Sequence, residues 1–119
     1  MLADITQWKE QVHFPDYDSV DWEAAYQKDE AAFHWDRENK VQDMFCANGL
    51  FERMHFLMGF EDALCALYEE PEAAEELITA IADTKIKFIR HALKIYKPDV
   101  FTFLDDYAHQ SGLFMSLDM

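Results

Sequence analysis

Apolar side chains recur every three or four residues at Ala74, Leu77, Ile78, Ile81, Ile86, Ile89, Leu93 and Tyr96, which predicts one long amphipathic helix over 71–97. Pro71 suits its first turn, where a missing N–H costs nothing. Glu72, Glu75 and Glu76 crowd the positive end of the helix dipole, and Lys85, Lys87, Arg90, Lys94 and Lys97 crowd the negative end. Pro98 stops the helix, and Val100-Phe101-Thr102-Phe103-Leu104, rich in aromatic and β-branched side chains, predicts a strand. A strand apolar on both faces expects cover on both, as in a parallel sheet. Helix, short link and strand together make an αβ unit.

Upstream the pattern is shorter in range. Residues 1–20 mix Trp8, Val12, Phe14 and Tyr17 with acids, and His13-Phe14-Pro15-Asp16 predicts a turn, so this stretch reads as connector. Trp22, Ala25, Tyr26 and Phe33 fit one face of a helix over 22–33, capped by Ser19 or Asp21. Met44-Phe45-Cys46 before Ala47-Asn48-Gly49 predicts a short strand ended by a turn. Residues 50–68 are dense in Phe, Met and Leu, and Gly59-Phe60-Glu61 divides them into two short helices or one bent helix, mostly buried. The Phe51, Met54, Phe56, Leu57 and Met58 stripe reads first as core.

Composition narrows the function classes. The chain has 119 residues, about half of them apolar, so it has the makings of a core. Twenty-four acidic against ten basic side chains give a net charge of -14, which repels nucleic-acid phosphates and anionic lipid surfaces. No apolar run reaches the length of a membrane span and no secretory leader pattern opens the chain, so the sequence reads as cytoplasmic. Cys46 and Cys65 lack metal or redox spacing and read as small apolar packers. His13, His34 and His91 likewise lack metal spacing and read as surface residues.

Three segments carry a resemblance. Gly49-Leu50-Phe51-Glu52-Arg53-Met54-His55-Phe56-Leu57-Met58-Gly59-Phe60-Glu61, then Leu67-Tyr68-Glu69-Glu70-Pro71-Glu72, then Leu104-Asp105-Asp106-Tyr107 stand in the order and at the gaps of the uroporphyrinogen decarboxylase family. The likeness covers roughly 49–119, and 8–29 resembles the connector of the family's methyltransferase-like branch. The resemblance implies an α/β fold: a partial (β/α)8 TIM barrel with two parallel strands and long helices, mostly helical by residue count. It divides the chain into a helical connector over 1–40 and barrel strands and helices over 41–119. Such barrels are about three times this length. The chain is then an internal fragment whose barrel cannot close, and Ser116 is expected to cap a further helix.

The resemblance also implies a site. Chemistry in these barrels gathers at the carboxyl ends of the strands, where Asp105 and Asp106 stand as candidate catalytic residues. Adjacent acids on a strand point to opposite faces, so one can look into the barrel while the other meets the helix layer or solvent. True uroporphyrinogen decarboxylases usually carry a serine where Asp106 stands, and an aspartate there would repel a substrate carboxylate. Phe56 stands where those enzymes carry a pocket tyrosine, which removes a hydroxyl. Phe56, Arg53, His55, Tyr107 and His109 are the candidate substrate-binding residues, with Gln110 beside His109.

The parent activity implied is tetrapyrrole decarboxylation in porphyrin biosynthesis, a lyase reaction, or methyl transfer by a corrinoid-dependent methyltransferase. Its substrate is a small molecule, a tetrapyrrole or a methyl donor with its corrinoid protein. No cofactor is expected within this chain, whereas zinc and a corrinoid enter a methyltransferase-like parent through the half that is missing. Alone, the chain is expected to be inactive. The alternative is a self-folding, acidic, helical interaction domain, a homo-oligomer through an apolar face of Met54, Phe103 and Phe114.

Overall fold

Two short strands, β1 (Asp43–Cys46) and β2 (Val100–Phe103), run side by side in parallel, with Asp43 opposite Val100 and Cys46 opposite Phe103. They come from a computed structural model that describes residues 1–116. The connection from β1 to β2 passes through three helices, α3 (Leu50–Met58), α4 (Phe60–Glu69) and α5 (Pro71–Tyr96). Ahead of β1 lie α1 (Trp8–Gln11) and α2 (Trp22–Phe33), and after β2 a small antiparallel hairpin pairs β3 (Ala108–His109) with β4 (Gly112–Leu113). The protein is therefore a mostly helical α/β chain with two parallel strands and long helices. The helix expected after Ser116 falls on residues 117–119, outside the described residues.

Local chemistry sets the boundaries. Asp21, rather than Ser19, caps α2 by accepting the Ala24 N–H at 2.9 Å. Gly59 adopts φ 105°, a conformation that glycine tolerates, so the Met-rich stretch becomes two helices rather than one bent helix. α5 ends where Lys97 turns left-handed at φ 46° ahead of Pro98. Arg37 closes that end, donating to the carbonyls of Tyr96 at 2.7 Å and Lys97 at 3.4 Å.

The core sits where α3, α4 and the first half of α5 meet, around Phe51, Met54, Met58, Ala63, Ala66, Ala74, Leu77 and Ile81. Leu2 and Ile5 also enter it, so the stretch expected as mere connector supplies core residues. Along the second half of α5, aromatic rings replace aliphatic packing. Tyr17, Trp22 and Phe88 form one group and Tyr26, Trp35 and Tyr96 another, with centroids 5.3 to 6.1 Å apart. The Tyr96 hydroxyl donates to Asp29 at 2.7 Å and fastens α2 to α5.

Several expectations need correction. His91 is half-buried rather than a free surface group: it stacks on Trp22 and lies 2.8 Å from Asp18. Cys46 is buried as expected, but Cys65 is exposed. Met54 is fully buried, so it cannot contribute to an outward apolar face. Ile86 and Leu93 are exposed, although the periodicity placed them with the core. They sit roughly 100° around the helix from the Ala74 and Ala92 line, on a second apolar stripe that the described helices leave open.

The sheet is open in the same way. Cys46 and Phe103 turn toward α5, where the Lys85 ammonium lies 5.8 Å above the Phe103 ring and donates to the Ala47 carbonyl at 3.5 Å. Alternation turns Phe45, Val100 and Leu104 away from that side, and they are 59%, 46% and 43% exposed. Cover on both faces was expected; among the described residues one face is bare and the other is covered only in part, Phe103 being 41% exposed. Among the described residues each strand has a single neighbour, so both outer edges carry unpaired backbone groups. The radius of gyration, 17.1 Å, exceeds the roughly 13.5 Å of a compact chain this long.

Candidate functional site

The carboxyl end of β2 is bonded to the amino end of α3. Asp105, just past the strand, accepts backbone N–H groups from Leu50, from Phe51 at 3.0 Å and from Glu52 at 2.9 Å, all in the first turn of α3. Its own neighbour, Asp106, donates a fourth N–H at 3.0 Å. An anion is favoured there because those N–H groups have no partner inside the helix and the dipole points its positive end at them. Gly49 makes the approach feasible: a methyl at this position would overlap the Asp105 side chain, coming 2.5 Å from Oδ2. The Glu52 carboxylate reaches back to the Gly49 N–H at 3.3 Å.

The electrostatics follow from these contacts. Partial burial pushes the Asp105 carboxyl up, but the Tyr107 hydroxyl and the amides of Glu52, Phe51 and Leu50 outweigh it and hold it below its ordinary value of 3.8. Asp105 is therefore an ionised clasp with both oxygens engaged. Tyr107 is pushed up to about 12, by burial first and then by the hydrogen bond to, and charge of, Asp105. Tyr96 is likewise pushed up to about 12, by burial and then by Asp29.

Tyr96 and Tyr107 should ionise near pH 12 in an alkaline absorbance titration. Their protonated contacts contribute stability below pH 10 that is lost as pH rises through about 12. Asp105→Asn should lower the Tyr107 transition and leave the Tyr96 transition in place. A Tyr107 transition unmoved by that substitution would contradict the contact.

Asp106 points elsewhere. It is exposed, and among the described residues its carboxylate accepts no hydrogen bond, as expected for the neighbour of an inward-turned acid. Of the two acids, Asp105 is occupied with structure and Asp106 is open. Tyr107 lies beside Asp105, its hydroxyl hydrogen-bonded to that carboxylate.

The other expected residues divide between two places. His55 lies in an aromatic group, 5.6 Å from Phe51, 4.5 Å from Phe56 and 5.5 Å from Phe60. Phe114, just after β4, packs on Phe51 and Phe60, and His109 packs on Phe114 at 5.4 Å. His55, Phe56 and His109 thus border one aromatic surface, on which Phe56 is more than half exposed. His109 sits in the β3–β4 hairpin, its Nδ1 accepting the Ser111 N–H at 2.9 Å. Arg53, two residues before His55 and so on the other side of α3, faces a different space.

That space is a cleft of about 480 Å³ between residues 12–17, the end of β1, α3 and α5. Arg53, Lys85, His13, Asn48 and Cys46 line it, and of these only Arg53 stood out in the sequence. No local spacing connects Lys85 with Asn48 or His13. Among the described residues, no group of three His, Cys, Asp or Glu side chains converges to hold a metal. No helix among them is long and apolar enough to cross a membrane. No family model, no curated protein and no solved structure matches the chain.

Proposed function

We propose that this chain is part of a uroporphyrinogen-decarboxylase-like (β/α)8 barrel of the methyltransferase-like branch, contributing two neighbouring staves and part of the rim. The observation that carries this reading is the parallel β1–β2 pair, joined through helices, with both outer edges unpaired and Asp105 and Asp106 at its carboxyl end. Loops at that end of a barrel converge on one mouth. The bare face of Phe45, Val100 and Leu104 supports it too, since barrel staves point alternate side chains inward against other strands.

Within that reading the two acids take different parts. Asp105 positions the start of α3 against the strand end, and Asp106 faces the substrate. A carboxylate at Asp106 suits a neutral or cationic substrate better than the several carboxylates of a porphyrinogen, which favours methyl transfer over decarboxylation. Zinc, where a thiol is to be made nucleophilic, would have its ligands in the rest of the barrel. His55, Phe56 and His109 would border the apolar part of the substrate.

The coding DNA on either side of this segment tests the reading. An open frame that continues in both directions through further strand and helix units is expected. Stop codons on both sides, around a soluble product that melts sharply, would favour the self-contained interaction domain instead. The isolated chain should form no coproporphyrinogen from uroporphyrinogen, because two staves cannot enclose a substrate; measurable product would overturn the account.

A further inference from the structure

We infer that the cleft between α3, α5 and the end of β1 is a binding site for a small aromatic carboxylate, a function separate from the strand-end acids. Acidic side chains outnumber basic ones 24 to 10, yet no Asp or Glu is among the residues lining this cleft. Arg53 and Lys85 face it, and among the described residues neither forms an ion pair. In so acidic a chain, two unpaired cations beside a carboxylate-free space make a local potential that suits an anion.

Shape agrees with charge. The volume, about 480 Å³, lies in the range of small-molecule sites. Phe14 and Phe88, from two separate parts of the chain, supply apolar walls for a ring system. The Lys85 ammonium lies 3.5 Å from the Ala47 carbonyl and 5.8 Å from the centre of the Phe103 ring, at the β1 end of the cleft. A guanidinium such as that of Arg53 presents a planar fork that matches a carboxylate. The barrel reading is not needed for this site, because every residue lining the cleft belongs to this chain.

The test compares 2-naphthoate with 2-naphthamide, which share a shape and differ in charge. Equilibrium dialysis against the full chain reads binding per chain in any state of association. Naphthoate should bind saturably and about tenfold more tightly than naphthamide. Arg53→Gln and Lys85→Gln should each weaken naphthoate roughly fivefold to tenfold and leave naphthamide unchanged, while Arg90→Gln, outside the cleft, alters neither. Bound naphthoate should also slow amide exchange over 45–53 and 81–88. Equal binding of the two compounds, indifference to both cleft substitutions, or no saturable binding would each overturn the assignment.

Discussion

Asp105→Ala is expected to free the first turn of α3, raising amide exchange at Leu50, Phe51 and Glu52 roughly 30-fold, or about 2 kcal/mol. The substitution leaves three helix N–H groups without their acceptor and removes the anion that complements the dipole. Exchange followed by mass spectrometry at low micromolar concentration gives the effect locally, whatever the chain does at higher concentration. The core at Ala63, Leu77 and Ile81 should respond less than the first turn of α3.

The pH dependence has a definite sign. A carboxyl held below 3.8 in the folded chain contributes stability above that pH and loses it as pH falls through the lowered value. Protection of Leu50 to Glu52 should therefore fade on acidification in the wild type. In Asp105→Asn that dependence should be absent. Protection that is the same at pH 6 in wild type and Asp105→Ala would show that the helix end is held by something else.

Gly49→Ala is the second large effect. Its methyl would overlap Asp105, and relieving such overlap typically costs about 2 kcal/mol. The distinguishing feature is coupling: with Asp105 already replaced by glycine, which removes the overlapping Cβ as well as the carboxylate, the obstacle is gone, and Gly49→Ala should then cost less than about 0.5 kcal/mol. Additive costs in the two backgrounds would mean that Gly49 is needed for its backbone alone. The cycle thus measures whether strand end and helix start are in contact, without any assumption about chemistry.

These two residues also mark how far the sequence could be read. The period of α5 and its terminal charges made that helix legible from end to end, and Pro98 with the apolar run behind it made β2 legible. Asp105 and Asp106 were legible as a pair at a strand end, but not their division of labour. That depends on α3, 53 to 55 residues away, presenting its amides to one acid only. Gly49 read as a turn residue, whereas its absent side chain makes room for a carboxylate from another element.

Where the reading fell short, the cause was distance along the chain. His91 carried no local signal, because its partners Trp22 and Asp18 belong to the amino-terminal stretch. Lys85 read as one of several charges at a helix end; only the fold sets it beside Ala47 and Phe103. Ile86 and Leu93 obeyed the helical period yet remain exposed, since a 26-residue helix carries more apolar surface than α2, α3 and α4 cover. Periodicity reports that a face is apolar and leaves open what covers it.

Sedimentation velocity over a range of concentrations tests the claim that β1 and β2 are an open section of a larger sheet. Two free strand edges and a bare apolar face predict open-ended association that grows with concentration, with no preferred size. A single species, monomer or discrete dimer, that keeps its size up to high concentration would contradict it and make the chain a self-sufficient domain.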